Sequence, residues 1–500
     1  MLLIDQFKSV VRDRADAPAV ILGQTHVTYA ELGSAVADLS VYLSGVISKG
    51  DRVAVLMDNS PEYIVSVYGI WLAGGVVVGL NTALKAQNLS ALLAHCEATS
   101  LIAARGNREL PGILQNTQLA SVLLTGDKGP RLPENIKTDT WADVMTGKGK
   151  PEAVACSGND LAAIIYTSGT TGHPKGVMLS HLNLAANIGS IREYLPIQQD
   201  DRIMCVLPFF YSYGNSLLHS HIAAGACLIL ENSLMYPHKV LESMAFNKAT
   251  SFSGVPSSFY LFLSRTDLSS VDLSALRYCT QAGGAMDKAK IKLWREQVKA
   301  EFFVMYGQTE ASARLTYVPP SMLDQKLGSA GIGIPGVELQ IQNAQGQPCS
   351  TGEQGEVCAR GDNIMQGYLK DQAETQATIK NGWLHTGDLG YLDGDGFLFL
   401  VGRSKEMIKS GAHRINPREI EELIASVEGV DEVAVAGVDD EIMGQVIQAY
   451  VVTHDDQTEM KRNILRFCKQ TLATYKVPKN VVFRSELPKT ASGKIRKHLL

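Results

Sequence analysis

Five hundred residues, 45% of them hydrophobic and 19% charged, are enough for a large core split over at least two domains, and they exclude a disordered chain. The formal net charge of -5 gives no electrostatic case for nucleic acid binding. The eight cysteines (96, 156, 205, 227, 279, 349, 358, 468) contain no C-x-x-C pair, which argues against a zinc site or disulfide framework and suits a reducing cytoplasm.

Met1-Leu2-Leu3-Ile4 is apolar, but Asp5 and Lys8 end the run too early for a signal peptide. Thr28 to Leu43 reads as an amphipathic helix, Asp51 to Leu56 as a strand and Ser60 to Trp71 as a second helix. The apolar stretch Tyr68 to Leu80 is too short to span a bilayer, so it reads as a buried helix end running into a strand. No integral membrane segment is expected. A further unit has Leu89 to His95 as helix and Ser100 to Ala104 as strand. Residues 126 to 160 lack periodicity and read as a connecting loop. Apolar runs at Leu161 to Ile165, Ile203 to Leu207, Ala226 to Leu230 and Phe302 to Met305 are bounded by polar or turn residues, as buried strands are.

This alternation makes the fold class α/β: a large N-terminal domain of layered α/β subdomains, residues 1–402. After Val401 the composition becomes more charged. A helix is expected over Pro417 to Val427, with proline in its first turn and Glu419, Glu421 and Glu422 near its N-terminus. Strands follow at Val430 to Val438 and Gln448 to Val452, then a helix from Met460 to Leu472. Residues 403–500 therefore read as a small mobile α+β C-terminal domain.

Tyr166 to Gly176 reads Y-T-S-G-T-T-G-H-P-K-G and follows the apolar run to Ile165. Glycines let a backbone turn back and present N–H groups inward, the hydroxyls of Thr167, Ser168, Thr170 and Thr171 add donors, and Lys175 adds a charge. Together with Gly169 and Gly172 this builds an anion cradle, most naturally for polyphosphate. It is not a Walker loop: Lys175 follows Pro174, and no Ser or Thr comes next. Tyr306-Gly307-Gln308-Thr309-Glu310 follows a strand, at the end where ligands collect in α/β sheets. Glu310 there is a candidate Mg²⁺ ligand, because hard cations take oxygen donors and bridge to phosphates. His385-Thr386-Gly387-Asp388 offers an aspartate for ribose hydroxyls. Pro488 to Lys494 is a lysine-bearing run near the C-terminus.

In this order the motifs resemble the adenylate-forming superfamily: acyl-CoA synthetases, aryl-acid ligases, firefly luciferase and peptide-synthetase adenylation domains. The resemblance covers nearly the whole chain. It implies a phosphate loop at Tyr166–Gly176, an adenine-side segment at Ala282-Gly283-Gly284-Ala285, nucleotide contacts from Tyr306, Gly307, Gln308 and Thr309, and a ribose aspartate at Asp388. It also implies a hinge at Gly402-Arg403-Ser404-Lys405 turning on Lys405, with Arg403 at the nucleotide, and a thioester-step loop at Lys409-Ser410-Gly411. Lys494 would be the catalytic lysine, aided by Glu310 and Thr170, with Glu310 and Thr170 at the metal.

The activity implied is ATP- and Mg²⁺-dependent formation of an acyl-adenylate, then transfer to the thiol of coenzyme A or to the phosphopantetheine of a separate acyl carrier protein, with release of AMP. Such an acid–thiol ligase would be cytoplasmic, a monomer or a homodimer. The segment Leu207-Pro208-Phe209-Phe210-Tyr211-Ser212-Tyr213-Gly214 carries no aspartate for an α-ammonium group, so a free amino acid is disfavoured. Its aromatic residues suit an apolar or aryl acid. With Tyr211, Ser212 and Tyr213 at the substrate and Gly283 and Gly307 leaving room, a fatty or other apolar acyl chain, as in fatty acid metabolism, is the first expectation. An aryl-acid or amino-acid enzyme loading a carrier protein, and a luciferase-like oxidoreductase, are the alternatives. A basic group at Lys476, Lys479, Arg484 and Lys489 is either a CoA or carrier contact or solvated surface. His219-x-His221 reads as structural, since no third metal ligand is in view.

Overall fold

The computed structural model describes residues 1–133, 137–152, 154–167, 174–403, 408–410, 413–440, 444–489 and 495–500. Two large sheets dominate the described residues. One has nine strands, in the order Ile332–Gly333, Thr316–Val318, Glu301–Tyr306, Tyr278–Gln281, Ser251–Gly254, Arg202–Cys205, Cys227–Leu230, Pro18–Leu22, Thr25–Thr28. Its centre, from Cys227–Leu230 across to Glu301–Tyr306, is parallel and almost wholly buried. That is why these strands read as continuous apolar runs. The second has eight strands, with Val76–Gly79, Arg52–Leu56 and Ala98–Ala104 parallel in its middle and the hairpin Leu161–Thr167/Lys175–Ser180 beside them.

The helices between the sheets follow from caps and apolar faces. Tyr29–Ser44 starts on Thr28, whose side chain accepts from the Glu31 N–H while Glu31 answers the Thr28 N–H. Pro61–Leu72 starts on Ser60 with proline at its first position, and every residue from Tyr63 to Leu72 is buried. A helix apolar all round belongs between layers, not on a surface. It joins the two sheets. The Trp71 indole donates to the Ala162 carbonyl at 2.9 Å and stacks on His219 of the helix Ser212–Ala224. Tyr68 meets the same histidine at 3.0 Å.

A third, smaller sheet contains Glu338–Gln342, Gly355–Arg360 and Trp383–Leu392, with Leu398–Arg403 alongside the last. The fourth belongs to the small C-terminal domain, where Gly444–Val452 pairs with Glu432–Asp440 and Asn480–Phe483. Helices Pro417–Ala425 and Gln457–Thr471 cover it. This part has its own core, with Ile408, Ile420, Ile424, Val435, Ile447 and Ile464 buried together.

The strands and helices expected from sequence are present, with ends displaced by a few residues. The connector 126–160 differs. It holds a short strand, Asp139–Thr140, added to the edge of the second sheet beside Ser121–Thr125, and a helical turn Trp141–Val144 capped by Thr140. The Tyr42 hydroxyl anchors it on Asp139 at 2.6 Å. An element of two residues fixed by a distant tyrosine has no periodicity to read. Among the described residues no helix is long and apolar enough to cross a membrane, and all eight cysteines are free.

Candidate active site

The phosphate-loop segment is the turn of a hairpin, since Thr167 pairs with Lys175 across antiparallel strands. Ser168, Gly169, Thr170, Thr171 and Gly172 lie outside the described residues. Lys175, expected as a free charge for phosphate, is instead held by protein. Its Nζ is 2.5 Å from Glu374 and 5.0 Å from the centre of the Tyr368 ring. Gly367–Tyr368 adds to the hairpin edge as a two-residue strand, which places Tyr368 there. The Tyr368 hydroxyl in turn donates to Glu310 at 2.8 Å. Burial first, and the Glu310 charge second, hold this phenol far above its usual pKa, so it stays a donor. Tyr368 and Glu374 thus tie the hairpin to the Tyr306–Glu310 motif. Sequence reasoning missed both, because only the edge pairing brings them in.

The opposite rim comes from the C-terminal ends of the nine-stranded sheet. Glu301–Tyr306 runs into Gly307, Gln308 and the short turn Thr309–Ala311. The Thr309 hydroxyl meets Ser212 at 3.1 Å. The loop before Ser212 is positioned by Asn59, 3% exposed, which accepts from the Phe209 N–H and donates to the Leu207 carbonyl. Tyr211 accepts from Asn81 at 3.2 Å. The Tyr213 hydroxyl turns into the sheet and contacts the Thr280 carbonyl and hydroxyl at 3.0 and 2.9 Å. Within the aromatic run Phe209 and Phe210 are buried, and the Tyr213 hydroxyl ends on polar partners.

One glycine acts differently from expectation. A Cβ on Gly307 would lie 1.9 Å from the Ala313 carbonyl oxygen, so this glycine admits a backbone crossing and not a substrate. Gly283 has a φ of +85°, which a turn here requires. Gly284 lies in the same turn, its carbonyl taken by Gln281 Nε2 at 2.7 Å, and Ala285 follows it.

Asp388 lies on Trp383–Leu392, its side chain 9% exposed. Tyr306 donates to Oδ2 at 2.6 Å and Arg403 Nε to Oδ1 at 2.8 Å. Burial, then the Asp388 charge, raises the Tyr306 phenol well above its ordinary range. Glu356 holds the preceding turn, accepting from the Gly387 N–H at 3.1 Å and facing His385 at 2.9 Å. The structure brings Tyr306 together with Asp388 and Arg403, which pair across adjacent strands.

Lys405, Gly411 and Lys494 lie outside the described residues, as does the Lys409 side chain. The residues flanking Lys494 are placed. Lys489 and Ile495 form an antiparallel bridge, and Arg496 is near enough to Tyr211 for its charge to oppose the upward pull of burial on that phenol. The basic group is largely neutralised: Lys476 pairs with Glu419, Lys479 with Asp440 and Lys489 with Glu432, while Arg484 lies over the Tyr450 ring. His219 and His221 are core histidines bonded to Tyr68, Leu217 and Tyr278, and burial lowers them to about 3 and about 4. Among the described residues no third metal-ligand side chain is grouped with them.

The AMP-binding enzyme family profile matches residues 7–369, and that of the AMP-binding enzyme C-terminal domain matches 419–494. The chain belongs to the AMP-binding enzymes. It is an AMP-forming acid–thiol ligase. Like other AMP-binding enzymes it resembles curated proteins over almost its whole length. It is 32% identical to a 3-[(3aS,4S,7aS)-7a-methyl-1,5-dioxo-octahydro-1H-inden-4-yl]propanoyl:CoA ligase of Rhodococcus jostii, covering 99% of this chain and 97% of the relative. It is 31% identical to a long-chain-fatty-acid–CoA ligase of Bacillus subtilis, covering 99% and 94%. Among solved structures, the o-succinylbenzoate coenzyme A synthetase of Bacillus subtilis, in complex with ATP and magnesium ion, superposes with a TM-score of 0.85 at 29% identity, over 98% of both chains.

Proposed function

We propose that this AMP-binding enzyme activates a carboxylic acid with ATP and passes the acyl group to the thiol of coenzyme A. The observation that carries the proposal is a continuous chain of contacts. It runs from the hairpin lysine through Tyr368 to Glu310 and Thr309, and from neighbouring Tyr306 to Asp388 and Arg403. These contacts support a reading in which Glu310 serves as an oxygen donor and Asp388 as the carboxylate for the ribose of one nucleotide. The relatives' names supply coenzyme A as the acceptor and ATP as the nucleotide.

In the first step a carboxylate oxygen attacks the α-phosphorus and pyrophosphate leaves. The reactants repel each other, so preorganised positive charge and N–H donors set the rate. Lys494 and the donors of Thr167, Ser168, Gly169, Thr170, Thr171 and Gly172 take that role, with Asp388 holding the ribose and Gly283, Gly284 and Ala285 beside the base. A carboxylate next to the phosphate hairpin suits a hard cation. Glu310 with Thr170 would hold Mg²⁺, which supplies neutralising charge on the phosphates. In the second step the thiol sulfur attacks the acyl carbon, its proton is lost to solvent, and AMP leaves with the carboxylate oxygen. Residues 403–500 rotate about Lys405 between the steps, withdrawing Lys494 and bringing Lys409 and Gly411 to the site.

The fatty or apolar chain expected from sequence keeps the support of the Bacillus relative. Tyr213, its hydroxyl bonded to Thr280 and its ring against the buried Arg314, supports an acid with a polar far end, and we place that ahead of a long alkyl chain. The test is acid-dependent ATP–pyrophosphate exchange over fatty, aryl and polar acids, followed by CoA with the best acid and mass analysis of the thioester. Lys494→Ala should lower exchange by at least about 10²–10³. Normal exchange in that variant, or oxygen consumption in place of thioester formation, would contradict the proposal.

A further inference from the structure

Arg314 is 1% exposed, and its Nε and Nη2 have no hydrogen-bond partner. Among the described residues no carboxylate pairs with it. Its guanidinium carbon lies 4.1 Å from the centre of the Tyr213 ring. Its charge also opposes the burial that pushes the nearby Tyr194 phenol up to about 12. The backbone is fixed against the nucleotide motif: Ala313 packs on Gly307, the Leu315 N–H donates to the Tyr306 carbonyl, and the Arg314 carbonyl accepts from Asn187 and Asn363. The Arg314 backbone is therefore fixed beside Gly307, with the guanidinium against the Tyr213 ring.

The Tyr213 ring on which it lies ends in a polar group. Thr280 links Tyr213 to Ser253 at 2.7 Å, and the buried Gln281 leaves Oε1 without a partner. A buried cation without a counter-charge is costly, and costlier still with unmet donors. Such a group is accounted for when its counter-charge arrives with a ligand. A guanidinium presents a planar fork that matches a carboxylate. The substrate carboxylate that reacts must point to the α-phosphorus, so it is not the one Arg314 would meet.

We infer that Arg314 selects an acid bearing a second carboxylate at its far end, of which one carboxylate is activated while the other pairs with the guanidinium. This rests on the acid–CoA ligase reading above and narrows its substrate class. Arg314 is a specificity determinant and takes no part in bond making.

The experiment measures AMP release by the full-length enzyme with CoA. It uses aliphatic and aryl dicarboxylic acids, each matched with the analogue in which the second carboxylate is a methyl group. The diacid should exceed its matched monoacid in kcat/KM by about 10²-fold, as expected for a charged hydrogen-bonded pair. Arg314→Met should collapse that ratio and raise the monoacid, while Arg314→Lys should keep part of it. If the variants do not fold, the wild-type ratio alone decides. Monoacids turned over as well as their diacids would overturn the inference and leave the ligase reading standing. Absence of AMP with every acid would overturn both.

Discussion

Asp388→Asn separates a nucleotide role from a structural one. The carboxylate is 9% exposed and accepts from Tyr306 at 2.6 Å and Arg403 at 2.8 Å. A hydrogen bond to a charged group contributes about 1.5–3 kcal/mol. The Arg403 side chain is 36% exposed and rehydrates when released, so its share falls to about 0–1 kcal/mol. Asparagine keeps the shape but sets an N–H₂ against one of two donors. The sum is a loss of about 1.5–4 kcal/mol in stability, read as a shift of the urea midpoint. If Asp388 also accepts from the ribose, KM for ATP should rise by a further factor of about 10–100. Tyr306→Phe is the control: it removes one donor, keeps the carboxylate, and should cost about 1.5–3 kcal/mol with a smaller rise in KM for ATP than Asp388→Asn. A destabilised Asp388→Asn enzyme with wild-type KM for ATP would refute the nucleotide role.

Lys405→Pro should spare ATP–pyrophosphate exchange and block thioester formation, and equal loss of both would discount the hinge. Asp201, 2% exposed, takes Arg277 at 2.7 Å together with Thr250 and the Gln198 N–H, so Asp201→Ala leaves two donors without an acceptor while Arg277, one-third exposed, rehydrates. It should cost about 2–3 kcal/mol in urea unfolding while the folded fraction keeps its KM for ATP. His219 and His221 are held neutral, near 3 and 4, against about 6.5 in the unfolded chain. The folded state binds fewer protons, so stability is whole above about pH 6.5 and falls as pH drops from there toward 4, by about 1.4 kcal/mol per pH unit for each histidine. Urea unfolding over that range should show the slope, and His221→Gln should roughly halve it. A flat profile between about pH 6.5 and 5 would contradict it.

The fold was legible where burial dictates composition. The buried parallel strands Cys227–Leu230 and Glu301–Tyr306 could hardly be anything but apolar runs, and Ser60-Pro61 and Asn416-Pro417 announce helix starts by cap chemistry. The motifs were legible as order along the chain. Their connections were not. Asn59 positions the Phe209 loop across a long sequence separation, and Tyr368 reaches Glu310 only because a two-residue strand joins the hairpin edge. Gly307 was misread because its neighbour is backbone from Ala313, which no local pattern reveals. Arg314 passed unnoticed because an arginine in sequence looks solvated until its burial and missing partners are known.

The central claim is that the acid's own oxygen bonds to the α-phosphorus of ATP. Oxygen-18 placed in the carboxylate of the best substrate tests this directly when CoA is added and the released AMP is weighed. The account predicts one labelled oxygen in AMP for each thioester formed. Unlabelled AMP, or ADP as the nucleotide product, would contradict it.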